Sequence, residues 1–334
     1  MRIAILAITA GGKKLATNIA IRLPNASLLA DEGRVGEKFS RHWQSFDAFI
    51  CIMATGIAVR SIAPLLVDKA RDPAILVLDE LGRNVISLVS GHLGGANKLA
   101  EEVAALTGGQ AIITTASDTL GHTALDLWAK AQGLRAESRE ALTRASARLV
   151  NEGELKIYAE IAIHSLPPDL HQTETRVKAD IIVSISTKRE EGQLLLHPRS
   201  LVLGSGCNRG TPREDFEAAL TELCASLTIS PLAIGRLCSI DKKNDEIGLL
   251  EFAAAHGWQT EFFSKAEINR LTHLQTSAAA LKAVGAIGVA EPCALLGARQ
   301  NTLFCGKRKW KNITMAMAQA PSMLSEQAPE HATI

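Results

Sequence analysis

His92 and Asp118 are the residues whose surroundings most suggest chemistry. His92 closes the run Ser90-Gly91-His92 and is followed by Gly94, Gly95, Ala96 and Asn97. Asp118 closes Thr114-Thr115-Ala-Ser-Asp. A histidine or a carboxylate can take a proton in a hydrolytic step. The first amides of a helix lack internal partners and carry positive partial charge. The amides of Gly94, Gly95 and Ala96 are therefore candidate donors to an anion or a developing oxyanion. The same glycines would equally serve a tight turn and close packing alone.

A second group lies in the last third. In Ser239-Ile-Asp-Lys-Lys-Asn-Asp-Glu246, Lys242 has the chemistry to hold a carboxylate and Asp245 or Glu246 to handle a proton; a solvated helix start also accounts for the run. Arg60, Arg209 and Lys307 are each unremarkable alone, but together they suit a polyanionic small molecule. Glu291 opens a short helix, where a carboxylate is favourable in any case. Gly204-Ser-Gly206-Cys207-Asn-Arg209-Gly210 lies between a strand and a helix, with Glu222 at a plausible ribose distance. Its spacing is not G-x-G-x-x-G, so a nicotinamide cofactor is a minor reading. There is no Walker A sequence, no His-Glu-x-x-His and no Gly-x-Ser-x-Gly elbow. A metal held by protein ligands is therefore not expected, and a serine-hydrolase triad has little support.

The elements that would position these groups alternate between strand and helix. Strands are expected at 2–8, 28–29, 47–53, 74–78, 85–89 and 111–113, with Thr55 and Gly56 in the turn from the third strand into the helix that carries Arg60. The apolar positions Leu93, Ala96, Leu99, Ala100, Val103 and Leu106 form one helical face, which Gly108-Gly109 ends. Helices follow near 122–132 and 138–150, then a less regular stretch with one good strand at 181–185. The pattern restarts with a strand at 201–204 and strands at 258–263 and 302–305. Thr211-Pro-Arg-Glu214 and Ser264-Lys-Ala-Glu267 read as capping boxes, and Lys307–Lys311 as a basic turn. This predicts an α/β protein: a mostly parallel three-layer domain over 1–135, a small irregular middle module over 136–197, an α/β domain over 198–320, and a disordered tail over 321–334.

The bulk numbers agree with that plan. The 334 residues suffice for two or three domains. A formal net charge of +1 and a single tyrosine argue against a nucleic-acid platform. No apolar run has the length of a bilayer span, and the first strand is too short for a signal peptide. Six cysteines without a Cys-x-x-Cys pair suggest a reducing cytoplasm.

Several motifs in series resemble one family. Ala54-Thr-Gly-Ile-Ala-Val-Arg60, Asp79-Glu80-x-Gly82, Ile86-Ser-Leu-x-Ser-Gly-His-Leu-Gly-Gly-Ala-Asn97 and Ile113-Thr-Thr-Ala-x-Asp118 resemble the N-terminal domain of CbiG, the cobalt-precorrin-5A hydrolase family of cobalamin biosynthesis. Gly204-x-Gly-Cys-x-Arg-Gly210, Ser239-Ile-Asp-x-Lys-x-Asp-Glu246, Val289-Ala-Glu291 and Lys307…Thr314-x-Ala316 resemble its C-terminal domain, which is shared with CobE. The resemblance spans roughly residues 45–320 with a divergent middle. Departures are small: Ser117 replaces a family threonine and keeps the hydroxyl, Asn208 replaces an arginine, and Pro292 follows Glu291.

The resemblance implies a reaction. Water would open the δ-lactone that joins a ring-A acetate to C20 of a cobalt-bearing tetrapyrrole, and C20 would leave with its methyl as acetaldehyde. The cobalt would arrive with the substrate, so no cofactor held by the protein is implied. His92 or Asp118 would be the base for lactone opening, and Glu291, Asp245 or Asp118 the base for the freed C20 hydroxyl. Thr55, Gly56, Arg60, Ser90, Gly91, Gly94, Gly95, Asn97, Thr114, Thr115, Gly206, Cys207, Arg209, Lys242 and Lys307 would bind the substrate. Partners would be that substrate and neighbouring enzymes of the pathway, in the cytoplasm; a homodimer is an open expectation. The competing reading is a tetrapyrrole carrier without turnover.

Overall fold

The computed structural model describes residues 1–68, 71–92, 94–163, 166–271, 274–321 and 323–324, without the side chains of Asp118, Thr119, Met323 and Leu324. The chain forms two compact units, Met1–Leu127 and Trp128–Ile334. The predicted tail beyond Leu324 lies outside the described residues.

The first unit is built on β1 (Ile3–Ala7), α1 (Ala10–Arg22), β2 (Ala26–Leu28), α2 (Val35–His42), β3 (Ala48–Ile52), α3 (Thr55–Ile62), β4 (Ala74–Leu78), β5 (Asn84–Val89), α4 (Ala96–Thr107), β6 (Gln110–Ile112), α5 (Ala116–Leu120) and the start of α6 (Leu125–Ala131). Its six strands are ordered β2-β1-β3-β4-β5-β6. Side-chain alternation sends Ile3 and Ile5 to one core, with Leu99 and Val103 of α4, and Ala4 and Leu6 to another, with Phe39 of α2. Both faces are thereby covered, as the runs of apolar strands predict. Each such buried aliphatic chain contributes about 1.5–3 kcal/mol relative to exposure.

One pairing departs from the parallel plan. β1, β2, β3 and β4 run parallel, whereas β5 returns antiparallel to β4 through the turn at Asp79–Arg83. The turn is short because Asp79 accepts hydrogen bonds from the Leu81 amide (2.9 Å) and the Asn84 amide (2.6 Å). β6 then runs parallel to β5. The carboxyl ends of β5 and β6 therefore lie at the opposite sheet edge from those of β1, β3 and β4.

The second unit contains two five-stranded sheets. In the first, β7 (Leu134–Ala136), α7 (Arg139–Glu152), β8 (Leu155–Ala159), β10 (Leu170–Gln172), β11 (Ile181–Val183) and β12 (Leu194–Pro198) give the order β10-β8-β11-β12-β7. The middle region thus holds more regular strand than its polar sequence suggests. A two-residue strand, β9 (Ala162–Ile163), pairs with Met323–Leu324.

The C-terminal sheet comprises β13 (Leu201–Cys207), β14 (Ile234–Ile240), β15 (Gln259–Phe263), β16 (Cys305–Lys309) and β17 (Ile313–Gln319), ordered β15-β14-β13-β17-β16. Helices α8 (Arg213–Leu227) and α9 (Ile247–His256) cover one face; α10 (Lys265–Ile268), α11 (Ala278–Val284) and α12 (Ala290–Ala298) belong to the rest of the unit. Two local expectations change. The segment read as a basic turn is largely the edge strand β16, its lysines having masked the strand pattern. The first capping box does not form: Pro212 is the N-cap rather than the first helical residue, and Thr211 donates its hydroxyl to the Asn208 carbonyl (2.9 Å). The second does form, with Ser264 and Glu267 bonded reciprocally.

Candidate functional site

The antiparallel return of β5 divides the candidate residues of the first unit between two sheet edges. Thr55, Gly56 and Arg60 follow β3, at the edge where Thr9, Asp79 and Glu80 also lie. A cavity of ≈ 590 Å³ opens there, lined by Thr9, Met53, Thr55, Asp79, Glu80 and Asn84 among others. Its two carboxylates do not favour a polycarboxylate ligand. Arg60 is exposed, outside the cavity lining, and its guanidinium lies back toward Gly56.

Ser90, Gly91, His92, Gly94, Gly95, Asn97, Thr114 and Thr115 share the other edge, beyond β5 and β6. Here the glycines serve the turn. A side chain at Gly94 would meet Ser90 Cβ at 2.3 Å, and one at Gly91 would meet Asn97 Oδ1 at 2.7 Å. The candidate oxyanion donors are mostly spent: the Gly95 amide donates to the His92 carbonyl (2.9 Å) and the Ala96 amide to the Ser90 carbonyl (3.1 Å). The loop closes on itself because Ser90 sits at φ 59°, an uncommon value for a residue with a side chain, held by its hydroxyl's bond to the Asp72 carbonyl (2.9 Å).

This closed loop fixes His92. Asn97 is buried; it accepts from Ser87 Oγ (2.6 Å) and donates to Thr115 Oγ1 (3.1 Å), tying α4 to the segment after β6. That tie brings Ser117 of α5 to His92, with Oγ 3.2 Å from Nε2. On the other side of the ring, Asp126 Oδ1 lies 3.7 Å from Nδ1. The His92 and Asp126 side chains keep 19% and 18% of their exposure, so both reach solvent. Sequence reading missed Ser117 and Asp126 as site residues: no motif links three segments that meet only in the fold. Asp118 belongs to α5, but its side chain lies outside the described residues.

The C-terminal candidates gather at the carboxyl ends of β13 and β14. A cavity of ≈ 320 Å³ is lined by Gly206, Cys207, Glu291 and Lys307. Ile240, Val289, Ile313 and residues of α11 supply apolar wall, and Lys243, Lys309 and Lys311 add positive charge. Glu291, in the first turn of α12, accepts the Lys307 amide (3.0 Å). Burial pushes the Cys207 thiol up to about 11, so it stays protonated at neutral pH.

Three expectations for this region change. Lys242 is exposed and outside the cavity lining; Lys243 is the buried lysine, bonded to Glu246 (3.1 Å). Arg209 is engaged rather than open to a ligand: it pairs with Asp245 (2.5 Å) and donates to the Lys242 carbonyl (2.8 Å). That bond holds the Asp245 carboxyl below the usual range, which makes it a weak base. Gly204 serves packing, since a side chain there would meet the Ala290 carbonyl at 1.9 Å. A pyrophosphate has no room at that glycine.

These features define an α/β protein with a histidine-centred polar cluster at one sheet edge and a lysine-rimmed cavity at the strand ends of another sheet. Family models described as Cobalamin synthesis G N-terminal, Cobalamin biosynthesis central region and Cobalamin synthesis G C-terminus match residues 37–118, 123–198 and 201–318. The cobalt-precorrin-5A hydrolase of Priestia megaterium is 37% identical over 299 residues, covering 84% of this chain and 80% of that protein. The Salmonella typhimurium protein of the same name is 30% identical over 322 residues, covering 88% and 91%. Protein CobE of a Sinorhizobium species is 30% identical over 131 residues, 38% of this chain and 84% of CobE. The chain belongs to the CbiG family of cobalamin biosynthesis.

Proposed function

We propose that this chain is a cobalt-precorrin-5A hydrolase of cobalamin biosynthesis. It opens the ring-A δ-lactone and releases C20 with its methyl as acetaldehyde, giving cobalt-precorrin-5B. The observation that carries this reading is the 37% identity to the Priestia megaterium hydrolase across 84% of this chain. A carrier role has no comparable support.

His92 is the base for lactone opening. It is partly exposed and has a polar group at each ring nitrogen, which fixes the ring's orientation. The C-terminal cavity has the character of a surface for a carboxylate-fringed macrocycle: apolar wall for the ring, with Lys307, Lys309 and Lys311 for the acids. Glu291 is the carboxylate there with direct access to a ligand. Cobalt comes with the substrate, and the macrocycle accepts the electron pair when the bond to C20 breaks. No described helix is long and apolar enough to cross a membrane. We place the protein in the cytoplasm beside the pathway enzymes that supply its substrate and take its product.

The test is acetaldehyde release from cobalt-precorrin-5A under anaerobic conditions, with His92→Ala and Asp118→Asn assayed beside the wild type. The expected result is multiple turnovers by wild type and loss of at least ~100-fold in folded His92→Ala. Binding of one equivalent without aldehyde would establish a carrier instead.

A further inference from the structure

The ring of His92 is held from both ends in a definite order. Asp126 Oδ1 faces Nδ1 at 3.7 Å, an ion-pair distance, and Ser117 Oγ bonds Nε2 at 3.2 Å. This order, carboxylate to Nδ1 and hydroxyl to Nε2, is the signature of an activated nucleophile, and such contacts are commonly loose before substrate binds. It has no sequence motif because the three residues come from separate segments: His92 from the loop after β5, Ser117 from α5 and Asp126 from α6. Ser117 is the second residue of α5, the helix that follows β6, and is buried against His92. The bond to be opened is a lactone, an ester, and its opening is an acyl transfer.

We propose that Ser117, His92 and Asp126 form an acyl-transfer triad in which Ser117 Oγ, not water, first attacks the lactone carbonyl. The proposal rests on the hydrolase reading above. In the first step the Oγ–acyl bond forms and the lactone C–O bond breaks. The Ser117 proton passes to His92 Nε2 and from there to the C20 oxygen. The ring-A acetate is now an ester of Ser117, and C20 carries a free hydroxyl. His92 Nε2, neutral again, takes that hydroxyl's proton and passes it to solvent as the C20–ring bond breaks, the bond's electron pair entering the macrocycle as acetaldehyde leaves. Water then attacks the ester, gives a proton to Nε2, and the acyl–Oγ bond breaks as Ser117 regains that proton. One water is consumed in all. Until C20 departs, its hydroxyl can attack the ester and re-form the lactone; departure of C20 as acetaldehyde removes that route back. Asp126 is a positioning residue, keeping the Nδ1 proton in place and stabilising the imidazolium.

The full-length enzyme would be mixed with cobalt-precorrin-5A, quenched in acid within the first turnover, and the peptide containing Ser117 weighed by mass spectrometry. A macrocycle ester on Ser117 is expected. Ser117→Ala should lower kcat by at least ~10³-fold with KM little changed, while Ser117→Thr keeps measurable turnover. Asp126→Asn should lower kcat by ~10²–10⁴-fold and displace the acidic limb of the pH–rate profile, which a purely structural role would leave in place. An alkyl fluorophosphonate should label Ser117 in the wild type and not in His92→Ala. A folded Ser117→Ala enzyme turning over within about tenfold of wild type, with no adduct in the wild type, would overturn the triad and leave direct attack by water. If Ser117→Ala does not fold, the adduct and the fluorophosphonate label on the wild type still decide. If the wild type releases no acetaldehyde, the hydrolase reading fails, and labelling of Ser117 alone decides whether the triad exists.

Discussion

At the scale of single residues, the C-terminal region turns on a lysine and a glutamate three positions apart. Glu246 accepts the Gly210 amide (2.6 Å) through one oxygen and the Lys243 ammonium through the other, and both side chains are buried. Burial alone would raise the Glu246 carboxyl, but the Lys243 bond and the Gly210 amide outweigh it and hold the group ionised. Lys243→Met leaves the buried Glu246 with the Gly210 amide and with Arg209, 3.5 Å from Oε2, so it should lower stability in urea unfolding by less than the about 3–5 kcal/mol of a fully stranded charge. Asp245→Asn breaks only the exposed pair with Arg209 and should leave the urea midpoint in place. The sequence shows two adjacent lysines and an Asp-Glu pair, and nothing in it says which of each pair turns inward; the turn at Asp241–Lys243 decides that. Cys207 makes a second residue-scale expectation. Although it borders the cavity, its raised pKa should make iodoacetamide react slowly at pH 7.5 and rapidly after unfolding.

At the scale of elements, most of the strand and helix pattern was legible because apolar runs are long and the turns between them are rich in glycine and aspartate. β4, for example, runs over Ala74–Leu78 as read from the sequence. The direction of β5 was not legible: an apolar run has no sign of direction, and a five-residue turn can return a strand or begin a crossover. That one reversal separates Thr55, Gly56 and the helix that carries Arg60 from His92, although the sequence places all of them beyond strand ends. The Gly204 pattern was visible but its purpose was not, because close approach by a helix and close approach by a phosphate leave the same mark in a sequence. Gly204→Ala should push α12 from β13, displace Glu291 and cost about 1–3 kcal/mol, read as a lower thermal midpoint. The same substitution would be mild if the glycine only faced solvent.

At the scale of the whole molecule, acid sensitivity follows from groups in both units. Bonds from Arg2 lower Asp47; amides of the β4–β5 turn lower Asp79 against the upward push of burial; Ser264 lowers Glu267; and Glu246 is lowered as described. Their stabilisation is fully present above the ordinary values of 3.8 and 4.5 and is lost as pH falls through the folded ones. His197 acts earlier. Burial pushes its pKa down from 6.5, so the folded state prefers the neutral ring and loses stability as pH drops below that value. The thermal midpoint should therefore be level from pH 8 to 7, sag as pH falls below about 6.5, and fall steeply below about 4; His197→Asn should remove the earlier sag. β16 carries one more consequence. It ends its sheet, and Lys307, Arg308 and Lys309 stand along it. Charges of this kind deter a second chain from pairing with an open strand. The lysines that suit a carboxylate-rich ligand therefore also guard against self-association, so neutral apolar replacements would weaken binding and invite fibrous aggregation together. Glutamine or glutamate in their place would separate the two effects.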